Sequence, residues 1–242
     1  MNGKRVGLLT LFTGALLALA VEPAAAQVST SETAEMIWDL NMNLLYIAVP
    51  ITVLVEGILI YTVWKFRNNE DPLPTMENRR LEITWTIATA IILLVVGIAS
   101  YQVMAEPYVT ATADQQIESD QDPAEVEVVA QRYSWSFNYN DTGQGDDRVS
   151  SSNTLVLPAD RPVVLHITSS DWIHAFHAPG LGLKSDAIPG NHNIIRTEIT
   201  EPGTYQLYCA EYCGTGHSDM LGEVEVVSGD EYESWLDEQQ SA

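Results

Sequence analysis

The stretch "CAEYCGTGHSDM", residues 209–220, holds both cysteines of the chain, Cys209 and Cys213, together with His217 and Met220. Thiolate, imidazole and thioether groups are ligands that copper prefers, whereas magnesium and calcium prefer oxygen. Two other interpretations are a disulfide, which an extracytoplasmic location favours when no metal is bound, and a thiol redox pair. Neither explains the histidine and the methionine, so the pattern favours copper.

The number of cysteines and histidines indicates which kind of metal site the stretch can form. A zinc finger needs further paired cysteines or histidines, and a blue copper site uses a single cysteine with two histidines. Two thiolates can instead bridge two copper ions, each of which then needs one histidine. The stretch supplies only His217, so a second histidine must come from His166, His174, His177 or His192.

Spacing alone does not choose among these four histidines. His166 alternates within a predicted strand and His192 follows a turn, and both patterns are typical of structural or solvated residues. The segment "DWIHAFH", residues 171–177, is therefore the predicted source of the second imidazole.

From residue 124 onward the sequence consists of short runs rich in β-branched and aromatic residues, separated by turns such as "DTGQGDD" and "EPG". Such runs predict strands. They are "AEVEVVAQRYSWSFNY", "NTLVLPAD", "RPVVLHITSS", "NHNIIRTEI", "GTYQLYC" and "GEVEVV". Short strands without intervening helices predict an antiparallel sandwich or barrel over residues 124–228. In the tail, 229–242, Tyr232, Trp235 and Leu236 have helical spacing and predict a short closing helix.

The N-terminal segment has the pattern of a secretory signal. Lys4 and Arg5 precede an apolar stretch that ends in small residues at Ala26. We expect a signal peptide at 1–26, with a retained N-terminal helix as the alternative.

Two further apolar runs are long enough to cross a bilayer. They predict a transmembrane hairpin at 27–105, with spans at about 44–66 and 82–104, followed by a polar linker at 106–123. Basic residues lie between the spans, so the short loop is predicted in the cytoplasm and both ends outside. Glu56 lies near the middle of the first span, where a carboxylate must be paired or protonated.

The charge of the chain limits its partners. The formal net charge is −22, and residues 106–242 carry 24 acidic against five basic residues, which leaves −19. This excludes nucleic acid, because phosphates are bound by basic patches. The acidity fits a positively charged partner or adaptation to high salt, in which charge steering is screened.

Together, the hairpin, the β-rich domain and the 209–220 motif resemble subunit II of the haem-copper cytochrome c oxidases. A second segment, "SSDWIHAFHAPGLGLKSDAIPG", is similar to the block of that family around its first histidine ligand. The resemblance implies an all-β, cupredoxin-like Greek-key barrel that holds a dinuclear copper centre called CuA. The implied copper ligands are His174, Cys209, the Glu211 carbonyl, Cys213, His217 and Met220.

Further roles follow from the resemblance. The Glu211 side chain is expected to bind magnesium at the border with subunit I, and Glu82, in "ENRRLEITW", to mark the mouth of a proton path. Tyr133 and Trp135 are expected to take up electrons, and Asp171 to dock the donor.

The sequence departs from the family pattern at three points. Tyr133 stands where the family has tryptophan, and Asn191 and His192 follow "DAIPG" where the family commonly has arginine. No C-x-x-C-H motif is found, so no fused c-type haem domain is predicted.

The implied function is that of subunit II of a terminal respiratory oxidase in the cell membrane, with its C-terminal domain on the periplasmic side. It would accept electrons from cytochrome c or a small copper or iron–sulfur protein. Subunit I, with the other oxidase subunits as partners, holds the haems, reduces oxygen to water and pumps protons. Rival functions are a quinol oxidase subunit, which lacks the copper ligands, a nitrous oxide reductase and a membrane-tethered copper-delivery module.

Overall fold

Two long helices precede the β domain. The computed structural model describes residues 30–74, 76–111, 119, 121–139 and 149–241, so the predicted signal at 1–26 and part of the linker at 106–123 lie outside the described residues. Helix α1 spans Glu32–Phe66 and α2 spans Arg79–Met104. Both are long and apolar enough to cross a membrane. With 35 residues, α1 exceeds the length of one span, and it begins well before residue 44.

The beginning of α1 is fixed to the β domain. The Ser31 hydroxyl caps the helix by accepting from the Ala34 amide at 3.1 Å, and it donates to the Leu181 carbonyl at 2.7 Å. Thr33 donates to the Tyr108 carbonyl at 3.1 Å. These contacts tie the outer end of the hairpin to the domain that follows it.

The β domain, in its described part, contains ten strands. They are β1 (Ala124–Gln131), β2 (Ser134–Tyr139), β3 (Val149–Ser152), β4 (Thr154–Pro158), β5 (Pro162–Ser169), β6 (His174–Ala178), β7 (Leu183–Ala187), β8 (Asn193–Glu198), β9 (Gly203–Cys209) and β10 (Leu221–Val227). They form two five-stranded sheets, ordered β3-β2-β1-β5-β8 and β4-β10-β9-β6-β7. A two-helix hairpin followed by an all-β domain confirms the predicted fold class.

Two details of the strand prediction are wrong. The sheets are not purely antiparallel, because β1 pairs with β5 and β4 with β10 in parallel. Each of these pairs joins strands that are not consecutive in the chain, so a two-residue hairpin does not dictate their direction. The run at 124–139 is not one strand either, since it turns at Arg132 and Tyr133 to form the β1–β2 hairpin.

The core lies between the two sheets. Trp135, Phe137 and Tyr139 alternate inward along β2 and are fully buried, and they meet buried aliphatic side chains such as Leu157 from β4. Helix α3, Gly229–Gln240, closes this core with its buried Tyr232 and Leu236 side chains. A capping box formed by Ser228 and Glu231 starts α3.

Leu157→Ala should lower the free energy of unfolding by about 2–5 kcal/mol, because Leu157 is fully buried and its truncation leaves a cavity. Denaturant unfolding of the detergent-solubilised chain, followed by tryptophan fluorescence, measures the loss. Leu221→Ala is the matched control, since Leu221 is 51% exposed and should change stability by about 0.5 kcal/mol or less. Equal losses in the two variants would contradict the assignment of the core.

Candidate metal centre

The 209–220 stretch is the connection between β9 and β10, and both of its ends are fixed. The Cys209 amide donates to the Met220 carbonyl at 3.0 Å, which closes the base of the loop. The Ala210 amide donates to the Ala175 carbonyl of β6 at 2.9 Å. Within the loop, Gly214 has φ of +134°, a backbone conformation that favours glycine.

His174 reaches this loop through strand pairing. Strand β6 begins at His174 and pairs antiparallel with β9, so that Phe176 lies opposite Cys209. His174 is fully buried, and its Nδ1 lies 3.7 Å from Cys209 Sγ. The structure thus places an imidazole from 35 residues earlier in the chain against the first thiol.

The other predicted ligand groups gather around the same pair of thiols. The sulfur atoms of Cys209 and Cys213 are 3.9 Å apart and are not bonded to each other. His217 Nδ1 lies 3.7 Å and Met220 Sδ 4.0 Å from Cys213 Sγ. The Glu211 carbonyl oxygen is 3.2 Å from Cys209 Sγ. Each thiol therefore has its own imidazole, which is the donor set that a two-thiolate, two-copper centre requires.

Burial affects the protonation of these thiols. Burial, together with the neighbouring Cys209, raises the pKa of the Cys213 thiol to about 11. In the metal-free protein Cys213 is therefore a neutral thiol near pH 7, and a bound cation favours its ionisation.

The Asp171 carboxylate, whose side chain is 29% exposed, is hydrogen-bonded to groups of its own domain. Its Oδ1 lies 3.0 Å from His174 Nε2 and accepts from the Trp172 amide at 2.7 Å, while Oδ2 accepts from the Arg132 amide at 3.1 Å. Burial alone raises the pKa of Asp171, but the hydrogen bonds from His174 and these amides outweigh it, and the pKa lies below its usual value. An imidazole that donates from Nε2 to Asp171 presents the lone pair of Nδ1 to the thiol side.

The two aromatic residues predicted to take up electrons have different environments. Trp135 is fully buried and meets the His174 ring edge-on, with centroids 6.5 Å apart. Tyr133 is 37% exposed, and its ring lies directly against Gly214 and Gly216 of the metal loop. Of the two, only Tyr133 reaches solvent.

His177 lies on the other face of β6 from His174, as the alternation of side chains along a strand requires. The centroids of the His177 and Tyr208 rings are 4.9 Å apart. Burial and the nearby Lys184 lower the pKa of His177. His166 lies 3.9 Å from Glu125, and His192 is exposed. Of the candidate histidines outside the loop, His174 is the one the structure brings to the thiols.

The three glutamates that the sequence singles out, Glu56, Glu82 and Glu211, lie in different elements of the structure. The Glu211 side chain is exposed and accepts from the Tyr212 amide at 3.1 Å. Glu82 is exposed in the first turn of α2, and Glu56 is exposed along α1. The sequence analysis missed Arg132, whose backbone holds Asp171, and the two glycines beneath Tyr133. The glycines of "CGTGH" were the available signal.

Gly216→Ala should displace Tyr133, because a Cβ at position 216 would lie 2.6 Å from Tyr133 Cδ2. We expect a loss of about 1–3 kcal/mol in the free energy of unfolding and weaker copper binding by the full chain. Thermal unfolding and copper titration measure these changes.

Gly229→Ala is the control for this change, since a Cβ there meets nothing within 4 Å. In a Tyr133→Ala background, Gly216→Ala should lower the free energy of unfolding far less than it does in the wild type. An equal loss of stability in both backgrounds would show that the position of the Tyr133 ring does not depend on a glycine at position 216.

Family comparisons agree with this architecture. The family description "Cytochrome C oxidase subunit II, transmembrane domain" matches residues 21–103, and "Cytochrome C oxidase subunit II, periplasmic domain" matches residues 128–227. The gap between the two matches runs from the end of α2 into β1. The chain is therefore a membrane protein with an extracytoplasmic C-terminal domain.

Individual cytochrome c oxidase subunits are similar to this chain over most of its length. "Probable cytochrome c oxidase subunit 2" of Rickettsia bellii is 31% identical over 211 residues, which cover 80% of this chain and 75% of the relative. "Cytochrome c oxidase subunit 2, mitochondrial" of Glycine max is 29% identical, and the match covers 83% of this chain but 55% of the relative's length. The periplasmic domain of cytochrome oxidase subunit II of Bradyrhizobium japonicum superposes with a TM-score of 0.46, at 26% identity, over 50% of this chain and 96% of that one.

The two family matches cover the hairpin and the β domain in the expected order, and the Rickettsia relative matches across both. On these grounds the chain belongs to the cytochrome c oxidase subunit II family.

Proposed function

We propose that this chain is the electron-accepting subunit of a terminal respiratory oxidase in the cell membrane. It takes electrons from a soluble donor on the periplasmic side and delivers them to the haems of subunit I, where oxygen is reduced to water and protons are pumped. The observation that carries the proposal is the convergence of two imidazoles, one thioether and one carbonyl on two adjacent buried thiols.

The residues present fit a dinuclear copper centre. Cys209, Cys213, His174 and His217 would hold the copper ions, with Met220 and the Glu211 carbonyl as weaker ligands. When bound, the copper pair would supply a site that gains or loses one electron.

The protein around this site contributes rigidity and low polarity. Asp171 holds the His174 ring through Nε2, and Trp135 packs edge-on against that ring and in turn contacts Phe176. Cys209, Cys213 and Met220 are buried, so water has little access to the thiols. Ligands held in this way need not rearrange when the charge of the site changes.

Two carboxylates extend the proposal to the partner subunits. The exposed Glu211 side chain offers hard oxygen atoms for a magnesium ion at the border with subunit I. Glu82 lies at the cytoplasmic entrance of the second span, where an exposed carboxylate can pass protons toward subunit I. The six ligand groups argue against a quinol oxidase, and a copper-delivery module would have no use for Glu82.

His174→Ala should abolish the dinuclear copper signal, whereas His177→Ala should leave it intact, because His174 faces the thiols and His177 lies on the other face of β6. Copper analysis and paramagnetic resonance of the reconstituted chain test this. The wild type should bind two coppers that share one unpaired electron. A single blue or square-planar copper would refute the proposed centre, and loss of signal only in His177→Ala would show that the ligand was misassigned.

Glu82→Gln should lower the turnover of the assembled oxidase without changing its copper content, because the amide cannot carry a proton. Glu77→Gln is the matched control, since Glu77 is an exposed carboxylate just before α2. Oxygen consumption and copper content are measured on the same preparations. Equal turnover in both variants would remove Glu82 from the proton path.

A further inference from the structure

Glu56 is an acidic side chain at the centre of a membrane span. It lies near the middle of the apolar part of α1, at 44–66, and it is exposed on the surface of that helix. A carboxyl group in the hydrocarbon core is costly unless it faces protein or water. The proposed electron path through the metal centre and the proposed proton entrance at Glu82 leave Glu56 without a role.

The hairpin itself offers no cation at this depth. No lysine, arginine or histidine occurs between residues 32 and 64 of α1 or between residues 81 and 104 of α2. The first basic residue of α1 is Lys65, nine positions toward the cytoplasmic end, which is about 14 Å along the helix axis. Lys65 lies over the Tyr61 and Phe66 rings, 5.4 and 5.2 Å from their centroids. Neither helix of the hairpin therefore supplies a positive partner for Glu56.

Glu56 lies on the side of α1 that faces away from α2. The groove between the two helices is lined from α1 by side chains that include Leu40 and Ile47. Glu56 follows Ile47 by nine residues, or about two and a half helical turns, which places it on the opposite side of α1. Val53 and Ile60, three and four positions away on the same face, are 67% and 63% exposed. This face of α1 is therefore not covered by the described part of the chain.

Lipid does not supply a partner at this depth either. The hydrocarbon core of a bilayer is about 30 Å thick, so the headgroups lie about 15 Å from its centre, much farther than a glutamate side chain reaches. A helix of another subunit brings side chains to this level. Gly57, next to Glu56, leaves room for such a helix, because a Cβ at position 57 would meet nothing of the described chain within 4 Å. Small residues are common where transmembrane helices approach each other closely.

We propose that the Glu56 face of α1, formed by Val53, Glu56 and Ile60, is a contact surface for a transmembrane helix of another oxidase subunit, and that this helix carries a basic side chain that pairs with Glu56. The proposal goes beyond electron transfer and rests on the proposed function only for the identity of the assembly. The complement is positive because an ionised carboxylate in hydrocarbon needs an opposite charge and hydrogen-bond donors beside it.

Such a pair would also orient the metal-bearing domain. An ion pair at one position of α1 fixes the rotation of that helix about its own axis. The beginning of α1 is joined to the β domain, where the Ser31 hydroxyl donates to the Leu181 carbonyl at 2.7 Å. The side of the β domain that faces the partner subunits therefore depends in part on Glu56.

The test uses one substitution for which the alternatives predict opposite results. Glu56→Leu removes a costly carboxyl group if the side chain faces lipid, but it leaves a buried cation of the partner unpaired if the two groups are paired. We expect Glu56→Leu to speed the dissociation of this chain from the purified whole oxidase about tenfold. The probe is the full chain with a fluorophore at its C-terminus, and its release in detergent is followed by size-exclusion chromatography.

Two further variants separate charge from polarity. Thr52→Val is the matched control, since Thr52 lies one turn before Glu56 and its hydroxyl already donates to the Ala48 carbonyl at 2.9 Å. This variant should dissociate at the wild-type rate. Glu56→Gln should dissociate faster than the wild type but more slowly than Glu56→Leu, because the amide keeps a hydrogen-bonding group and loses the charge.

A chemical probe supplies a second measurement. Dicyclohexylcarbodiimide modifies protonated carboxyl groups within membranes, and mass spectrometry of the peptide that contains Glu56 detects the product. The isolated full chain in detergent should be modified at Glu56, whereas the whole oxidase should be protected, because the paired carboxylate is ionised and covered.

Three results would overturn the proposal. Release of Glu56→Leu at the wild-type rate would show that Glu56 faces lipid or water. Release of Glu56→Gln at the wild-type rate would show that a neutral donor is enough, and equal modification of the isolated chain and the oxidase would show that nothing covers Glu56. Copper content and the resonance spectrum of the same samples report on the proposed function independently, because a missing dinuclear signal would refute that function whatever the dissociation rates are.

Discussion

The pairing of β6 with β9 is the interaction on which the metal centre depends. It sets Phe176 opposite Cys209, and the amide of Ala210 then bonds the carbonyl of Ala175. This register fixes His174 beside the first thiol. The second thiol and its histidine come from within one loop, so they need only local geometry. A shift of one residue between these strands would turn His177 toward the thiols and His174 away.

The sheet that contains β1 and β2 contributes the remaining contacts to the metal site. The β1–β2 hairpin carries Tyr133 onto the glycines of the loop and Trp135 into the core beside His174. One hairpin therefore supplies both a surface ring, from its turn, and a buried ring, from β2, within three residues. The two sheets meet at the metal site, so packing of the core and positioning of the ligands are the same physical problem.

The sequence predicted the local part of this arrangement and little of the rest. The spacing within 209–220 indicated copper because four ligand groups lie within one loop. The choice of His174 needed the family resemblance, since the pairing of β6 and β9 is not visible in either segment alone. The parallel pairs were missed for the same reason. The hydrogen bond from the Arg132 amide to Asp171 and the contact of Arg132 with Trp172 join residues 39 and 40 positions apart, and no local pattern encodes them.

The net charge of the domain acts over long distances, whereas its exposed apolar side chains act only on contact. The charge of −19 on residues 106–242 acts at long range, but at molar salt the screening length falls to about 3 Å. Contacts shorter than that length survive, and the apolar contact offered by Trp172 and Ile173 does not depend on screening at all. At molar salt, a domain of this charge therefore gains little from long-range attraction to any partner. The exposed Trp172 indole lies against Arg132, and two hydrogen bonds through Asp171 connect its backbone to His174.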